Sequence, residues 1–383
     1  MAIMTAGSGT RCPGARRWQA GLSLIELMVG LLIGLIITLA ITASVATIGK
    51  QLRTTGGGIN AAEEAQLAVT LIDRDLRMAG AAIFANSVAT MCPSLNEYKN
   101  GATLYDRSSL GSAFAPVRIT DGGSAGSDTI DVESSPPSTA GTFTAAIVKE
   151  MPATAGVLKV TDPRNNLHEG DLIFVAHPLP NTGGDPCTLI QVTGISGVCN
   201  DRSTGCNVLF GSGQSIYNPS NPNQAFTSPQ TYGPGSILVK MPSFAYTRYE
   251  AKCNALLRHD TTISPSCNGS PSFHNSAIAD EIVMLKAQYG VADAGSDAIA
   301  SWKSASALAA DEMNQVKAVR IAVVARSREP DVTAVTASAP TVFGGALTLN
   351  LSGTSVPAGK TWQDFRYRIF ETMTPLRNVV WNR

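Results

Sequence analysis

An uncharged apolar run near the N-terminus constrains the fold of this chain more than any other feature. Residues 27–49 are 23 consecutive positions without a charged side chain. At about 1.5 Å per residue, a helix of this length crosses a hydrocarbon core of about 30 Å. Residues 1–21 carry arginines and no acid. This charge asymmetry predicts a cytoplasmic N-terminus and a periplasmic or extracellular remainder from Lys50 onward.

Two residues before the run set it apart from an ordinary signal peptide. Such a peptide has an apolar stretch of about 7–15 residues, with its cleavage site after that stretch. Here the run is longer, and the candidate cleavage site, Gly21, precedes it. The run also follows directly on a carboxylate, Glu26. A buried acid is costly in a bilayer, so we expect a partner that compensates the charge of Glu26.

The residues Gly-Leu-Ser-Leu-Ile-Glu at 21–26, followed by the apolar run, resemble the type III signal of type IV prepilins. The resemblance implies that a prepilin peptidase cuts between Gly21 and Leu22 on the cytoplasmic side. It implies N-methylation of the new N-terminal Leu22, where phenylalanine is usual in that family. It also implies that Glu26 pairs with the N-terminal amine of a neighbouring subunit. The alternative is a plain single-pass anchor in which the glutamate has no such partner.

A second helical pattern follows the anchor. Three glycines at 56–58 interrupt the first pattern and predict a hinge or break. Asn60 and Glu63 then have the spacing of a capping box. Apolar residues recur with a helical period from Ile59 to Ile83. We therefore predict a leader at 1–21, a transmembrane helix half at 22–49 and a periplasmic helix half at 50–85.

The remainder, 86–383, has the pattern of a β-rich globular domain. Alternating apolar and polar residues near the C-terminus predict antiparallel strands with one solvated face, at 281–289, 319–325, 347–351 and 365–369. Residues 92–280 have the pattern of a loop-rich insert, with an uncharged loop at 211–235. Short strands are expected there at 129–132, 157–160, 172–176, 189–192, 208–210 and 237–240. The predicted fold class is α+β, with the long N-terminal helix packed on an antiparallel sheet as in type IV pilins.

Six of the seven cysteines lie beyond the leader, in the predicted insert. An even number suits a disulfide framework in an oxidising compartment, and six cysteines allow 15 pairings. The close pairs Cys253–Cys267 and Cys199–Cys206 are the candidates, which leaves Cys92 with Cys187. A metal site formed by Cys253, Cys267 and His259 is the alternative at that position.

Several short sequence segments, called strings below, make the resemblance to type IV pilins more specific. Residues 73–80, 288–290, 319–327 and 367–378 look like those of PilW-type minor pilins. The resemblance implies a structural protein that is stored in the inner membrane with a periplasmic domain and then built into the tip or initiating complex of a pilus. Its implied partners are other minor pilins, the major pilin, a large tip adhesin and the prepilin peptidase. A minor pseudopilin of a type II secretion system shares the same layout and is the alternative.

Candidate chemistry is sparse. The zero net charge argues against nucleic-acid binding. The stretch at 353–361 has a spacing one residue too long for a phosphate-binding loop. Asp293 and Asp297 are few ligands for calcium and predict a polar turn. Four arginines could form a solvated face or a subunit contact: Arg320, Arg326, Arg366 and Arg368. We predict no catalytic residue, no metal and no cofactor. The alternative to a structural pilin, from a different functional class, is a membrane-anchored periplasmic enzyme.

Overall fold

A computed structural model describes the chain at residues 23–80, 95–105, 116–134, 144–161, 167–178, 185–196, 206–241, 245–261, 263–267 and 270–377. The chain divides into two compact units, Met1–Gly56 and Gly57–Arg383. One long helix and several largely antiparallel sheets make the fold α+β, as the sequence predicts. The predicted boundaries at 21, 49 and 85 stay predictions.

The helices in the described residues are α1 (Leu24–Met78), α2 (Pro222–Ala225) and α3 (Pro271–Ser276). The strands there are, in chain order, β1 (Leu95–Lys99), β2 (Ala102–Tyr105), β3 (Val117–Thr120), β4 (Thr129–Ser134), β5 (Thr144–Ala146), β6 (Val157–Val160), β7 (Leu172–Ala176), β8 (Cys187–Gln191), β9 (Gly194–Ser196), β10 (Cys206–Leu209), β11 (Ile237–Met241), β12 (Ala245–Lys252), β13 (Ala255–Asp260), β14 (Ala277–Asp280), β15 (Ile282–Ala292), β16 (Ile299–Lys303), β17 (Val316–Arg326), β18 (Thr341–Val342), β19 (Leu347–Thr348) and β20 (Tyr367–Pro375). Short 3-10 turns lie at Ala305–Ala307, Ala310–Gln315 and Trp362–Asp364.

Helix α1 continues through the glycines at 56–58, so the predicted break in the helix is wrong. Backbone hydrogen bonding in a helix does not require a side chain, and glycine lowers helix stability without preventing the helix. The division between the two compact units nevertheless falls at this point, between Gly56 and Gly57. The helix ends at Met78, where Gly80 takes a left-handed φ of 70° and its N–H donates to the Glu133 carbonyl at 2.9 Å.

Within the second unit, one face of α1 packs on two sheets. Residues at spacings of three and four along this face are buried: Ala61, Ala65, Ala68, Ile72 and Leu76. The alanines let the helix approach the sheets closely, and the core around them includes residues of β3, β4, β12, β13, β15 and β17. Ile59 is 52% exposed and lies off this face, whereas Gly58, three residues before Ala61, is buried and extends it.

The sheets have simple orders. The four-stranded sheet runs β16-β15-β17-β20 and the five-stranded sheet β14-β13-β12-β4-β3. The remaining sheets are β2-β1-β8-β7-β11-β5, β6-β10-β9 and β18-β19. Among the described strands, the pairing is antiparallel except between β1 and β8, which are parallel where Leu95 lies opposite Cys187.

The predicted solvated face of the C-terminal sheet is wrong for β15 and β17, which are buried along nearly their whole length. A second core packs on the face away from α1, and it includes Met284, Val324, Phe343 and Leu351. The chain beyond β17 therefore covers the face that alternation alone assigned to solvent. The predicted strand at 347–351 is reduced to β19. Leu349 and Leu351 are buried in this second core but lie outside a strand.

The predicted insert is more regular than its sequence indicates. All six expected short strands occur, but β3, β4 and β12–β14 join the core around α1 and are not part of a separate loop-rich region. Strand β1 was missed because its buried residues include Asn96 and Glu97. The hydroxyl of Tyr246 donates to Glu97, and burial together with the nearby Glu133 carboxylate holds the pKa of Glu97 well above its usual range.

Candidate assembly site

A reciprocal capping box starts α1. The backbone N–H of Glu26 donates to Ser23 Oγ at 3.2 Å, and the backbone N–H of Ser23 donates to Glu26 Oε2 at 3.1 Å. Each side chain thus satisfies an amide that the helix leaves unpaired, and the carboxylate lies at the positive end of the helix dipole. Glu26 Oε1 has no hydrogen bond to any part of the chain that the structure describes.

Of the residues predicted to act in assembly, Glu26 is the one that the structure describes. Gly21 and Leu22 lie outside the described residues. The role of Ser23 was not predicted, although the pattern Ser-x-x-Glu before an apolar run indicates a capping box.

The segment Leu24–Gly49, called the anchor segment below, has the length and composition of a membrane-spanning helix. None of its described residues is buried. Its threonine hydroxyls donate to carbonyls one turn back, as Thr38 Oγ1 does to the Gly34 oxygen at 2.9 Å. These bonds leave no unpaired hydroxyl donor at Thr38 on a surface that would face lipid.

One side of the anchor segment is indented. Glu26, Gly30, Gly34 and Thr38 follow one another at four-residue spacing along it, with leucines beside them. A Cβ on Gly30 or Gly34 would have no atom within 4 Å. Small residues at this spacing let two helices approach closely in a membrane.

The other end of α1 is fixed by two aspartates from the string at 73–80. Asp75 Oδ2 accepts hydrogen bonds from the Tyr249 hydroxyl at 2.6 Å and from Arg258 Nη2 at 2.9 Å. Burial alone would raise the pKa of Asp75, but the hydrogen bonds from Tyr249 and Arg258 outweigh it and the pKa is lowered. Asp73 accepts from Arg77 Nε at 2.7 Å and from the Thr374 hydroxyl of β20. These bonds give the string a structural role in joining the helix to the sheets.

Cys253 and Cys267 form a disulfide with a Cα–Cα distance of 5.9 Å. This bond excludes the alternative metal site at these residues. Both nitrogens of His259 are occupied, Nδ1 by the Asp260 carbonyl at 2.8 Å and Nε2 by Glu250 Oε1 at 3.1 Å. Cys187 and Cys206 are also disulfide-bonded. The partners predicted for them, Cys92 and Cys199, lie outside the described residues.

Two candidate ligand sites have structural explanations. Lys360, in the stretch that resembles a phosphate-binding loop, donates through Nζ to the Asp331 carbonyl at 2.8 Å, and a 3-10 turn follows in place of a helix. Asp297, considered for calcium, lies 3.2 Å from the ammonium of Lys317, whose side chain is 3% exposed. A cation of the chain itself therefore already neutralises this carboxylate.

The four arginines do not form one solvated face. Arg320 lies between the rings of Trp302 and Phe343, at 4.6 and 4.4 Å from their centroids. Arg326 is buried and pairs with Glu281 at 2.8 Å. The solvated-face interpretation is therefore wrong for these two residues. The remaining contacts are Arg366 with Asp331 at 2.9 Å and Arg368 beside Gly58.

The region that includes β13–β20 and most of β12 matches a family model. Residues 247–378 match the family described as type IV pilus-assembly protein W, PilW. This region is PilW-like. It contains the whole four-stranded sheet and the partners of Asp75, Tyr249 and Arg258, while α1 and residues 95–241 lie outside it. The PilW resemblance stated from the short strings is thereby confirmed for the C-terminal third, and it supports a role in type IV pili.

Among solved structures, the chain is similar to a type IV-like pilin from Thermus thermophilus. The identity is 18% over 36% of this chain and 68% of that chain, with a TM-score of 0.21. A score this low carries no argument about the fold, so the family match alone supports the link to pili. No curated protein matches the chain.

Proposed function

We propose that the chain is a minor pilin that enters the tip or initiating complex of a type IV pilus and works by assembly, not by catalysis. The PilW-like region supports the pilus role. The arrangement that carries the proposal is a carboxylate on the first turn of the apolar anchor segment, none of whose described residues is buried.

The assembly step rests on Glu26. Cleavage between Gly21 and Leu22 would leave an ammonium group at Leu22, which the peptidase partner would then N-methylate. The Oε2 atom of Glu26 caps its own helix, while Oε1 has no hydrogen bond among the described residues. It is therefore available to the ammonium of an incoming subunit. Pairing two opposite charges in a low dielectric is stronger than in water, and either charge left alone there is costly.

The surrounding surface suits a helical neighbour. Glu26 lies at one end of the indentation, and Gly30 and Gly34 follow at intervals of one turn, so a helix whose N-terminus meets the carboxylate could continue along it. We propose other minor pilins and the major pilin as these neighbours, and a tip adhesin as a further partner. Before assembly the chain would reside in the inner membrane with residues from 50 onward in the periplasm.

The test separates charge pairing from helix capping. Glu26→Gln keeps an oxygen that can accept from the Ser23 N–H but removes the charge, whereas Ser23→Ala weakens the cap and keeps the charge. Each variant is expressed in the native host, and we measure co-purification with the other minor pilins, surface pili and the N-terminal mass of the membrane-extracted chain.

We expect Glu26→Gln to lose co-purification and surface pili, with Ser23→Ala close to wild type and the chain in both shortened by its 21-residue leader. Normal assembly of Glu26→Gln would reject the pairing step. An uncut N-terminus in the wild-type strain would reject the prepilin interpretation as a whole.

A further inference from the structure

Strand β20 forms one edge of the four-stranded sheet, and no described strand pairs with its outer side. It is nine residues long and pairs with β17 in continuous register, without a bulge. Thr374 is its only buried residue, and Met373 is 55% exposed. Many proteins shorten, kink or cover such an edge, because its unpaired backbone groups are a template for another strand. The edge of β20 is long, regular and exposed.

The hydrogen bonds to β17 determine which backbone groups of β20 point outward. The Leu376 N–H donates to the Lys317 carbonyl at 2.8 Å, in register with the β17–β20 ladder. At the other end, the Ser327 N–H donates to the Arg366 carbonyl at 2.8 Å. Even-numbered residues of β20 therefore point their amides toward β17, and odd-numbered residues point theirs away. The outward N–H groups and carbonyls have no hydrogen-bond partner among the described residues, and they belong to Tyr367, Ile369, Glu371 and Met373.

Backbone groups in this arrangement fit an extended peptide. The outward amides recur at every second residue, which is a spacing of about 6.6–6.8 Å. Another β-strand presents carbonyls and N–H groups at the same spacing, and exposed sheet edges bind extended segments through such bonds. Pro375 has no N–H, so the pairing surface ends there.

Helix α1 runs alongside β20 in the same direction. Arg368 lies beside Gly58 of the helix. Six residues further along β20, the Thr374 hydroxyl bonds Asp73, which is 15 residues further along α1. Six residues of strand and 15 residues of helix both span about 20–22 Å, so the two elements follow each other closely.

This shared direction argues against a second copy of the chain as the partner. Two identical edges that pair symmetrically run antiparallel and are related by a two-fold axis perpendicular to the sheet. Such an axis reverses α1 together with β20, so the two chains would enter residues 57–78 from opposite ends. Two chains anchored in one membrane by their N-terminal segments enter from the same side. The edge therefore suits a strand from a different protein.

The side chains on the two faces of β20 indicate the sequence of that strand. On the face toward α1, Arg368 is exposed and has no ion pair with any described residue. On the other face, Ile369 packs on the second core and Met373 is exposed. Glu371 on this face is already engaged, because Oε1 accepts from the Phe343 N–H at 2.6 Å. Residues opposite each other on paired strands share a face, where unlike charges attract and apolar side chains pack together.

We propose that β20 is a docking site for an extended segment of another protein, which joins the four-stranded sheet as a further strand. The segment carries an acidic residue on the face toward α1, where it meets Arg368. It carries apolar residues on the opposite face, where they meet Ile369 and Met373. Backbone bonds to the outward amides supply affinity, and the side chains supply specificity. The exclusion of a second copy rests on the proposed membrane anchoring, whereas the edge itself does not depend on Glu26.

Peptide binding to the full-length chain in detergent micelles tests the proposal. The probe is a nonapeptide in which valine and threonine alternate, with glutamate in place of one central threonine. One matched peptide has lysine in place of that glutamate. Another has N-methyl groups on its central amides, which removes the donors and keeps the side chains. Binding is followed by hydrogen exchange resolved to single residues, in wild type and in Arg368→Glu, Met373→Pro and Met373→Ala.

Without peptide, we expect fast exchange at the outward amides of β20 and slow exchange at inward ones such as Phe370. A saturating concentration of the glutamate peptide should slow the outward amides at least tenfold. This peptide should bind at least fivefold more tightly than the lysine peptide, and Arg368→Glu should reverse the preference. The N-methylated peptide should not bind. Met373→Pro removes an outward N–H and should weaken binding more than Met373→Ala, which keeps it.

Absence of peptide-dependent protection at the outward amides would overturn the proposal, as would equal binding of the N-methylated peptide. Equal binding of the lysine peptide would reject the acidic residue opposite Arg368. Protection that rises with the concentration of the chain alone would identify a second copy as the occupant and would also overturn it. If Met373→Pro does not fold, the comparison of the three peptides on wild type still decides. None of these results bears on the assembly step at Glu26.

Discussion

The two segments of α1 are parts of one helix with opposite relations to the rest of the protein. In the anchor segment, apolar side chains are exposed all round, as at Leu24, which is 79% exposed, and Leu39, at 69%. In residues 57–78, called the packed segment, Ala65 and Ile72 are fully buried, while charged residues occupy other faces. A helix that is apolar all round needs lipid or other helices, whereas one with a single apolar face needs a core.

The polar groups of the two segments differ in the same way. In the anchor segment, Glu26 and Thr38 bond within their own helix, and Ser23, the residue before it, bonds to Glu26. In the packed segment, Asp75 bonds to residues of β12 and β13. Equivalent substitutions should therefore alter folding in the packed segment and membrane or subunit association in the anchor segment.

Replacing isoleucine by alanine should change the stability of the fold strongly in the packed segment and not in the anchor segment. Ile72→Ala removes fully buried atoms from the core and should lower the free energy of unfolding of the second unit by about 2–5 kcal/mol. Ile37→Ala, at a residue 52% exposed, should leave it unchanged. Denaturant unfolding followed by tryptophan fluorescence measures both. Equal losses in the two variants would contradict the separation of roles.

Asp75→Asn should have the next largest effect. It weakens the bonds to Tyr249 and Arg258 and should lower the free energy of unfolding at neutral pH by about 1–3 kcal/mol. Because the folded pKa of Asp75 is lowered, its contribution is present above the unfolded pKa of about 3.9 and is lost as pH falls through the folded pKa.

The corresponding measurement is unfolding as a function of pH. The difference between wild type and Asp75→Asn should shrink as the pH falls below about 4. Glu63→Gln, at an exposed position of the same segment, is the control and should follow wild type. A difference that stays constant down to low pH would show that the Asp75 charge contributes nothing.

Ser23→Ala should produce a smaller effect that is confined to the start of the anchor segment. Loss of the cap should destabilise the first turn by about 1 kcal/mol. Amide hydrogen exchange should therefore speed up about fivefold in the first turn after Leu24 and remain unchanged in the packed segment. Thr38→Ala, which removes a hydroxyl inside the same helix, should leave the first turn unaffected.

Gly56→Ala should have the smallest effect and the opposite sign. Alanine is favoured over glycine in a helix by about 0.5–1 kcal/mol, and a Cβ here would meet no atom within 4 Å. Hydrogen exchange on either side of residue 56 should slow a few-fold. Gly295→Ala is a contrasting control that should destabilise its turn, because φ there is 81°. Unchanged exchange in Gly56→Ala would indicate a helix already rigid at this point, against the predicted hinge.

The anchor segment was predictable from the length of its uncharged run. The existence of β15 and β17, and the packing of α1 through one face, were predictable from residue spacing. Alternation failed for β15 and β17, since the residues that cover their second face come from around Val342 and Leu351, which carry no pattern linking them to that sheet. Strand β1 failed because Glu97 is buried against Tyr246, from a distant part of the chain.

Some residues of the candidate site could be predicted from the sequence and others could not, because some of their contacts are local in the chain and others are distant. Glu26 is identified by sequence neighbours alone, as part of a linear motif. The partners of Asp75 lie more than 170 positions away, at Tyr249 and Arg258. No local pattern connects them, and tertiary contacts alone bring them together.

The Cys253–Cys267 disulfide has a mechanical consequence for a subunit proposed to lie at the tip of a pilus. The bond encloses a sequence separation of 14 residues between the end of β12 and the chain before α3. A chain under tension lengthens by about 3.3–3.6 Å for each residue that is pulled straight. While the bond is intact, the enclosed residues cannot be pulled straight, so the fully extended chain is shorter by roughly 45 Å. The load then passes through the sulfur atoms from Cys253 to Cys267, so a tip subunit of this kind would stretch less before giving way than its chain length allows.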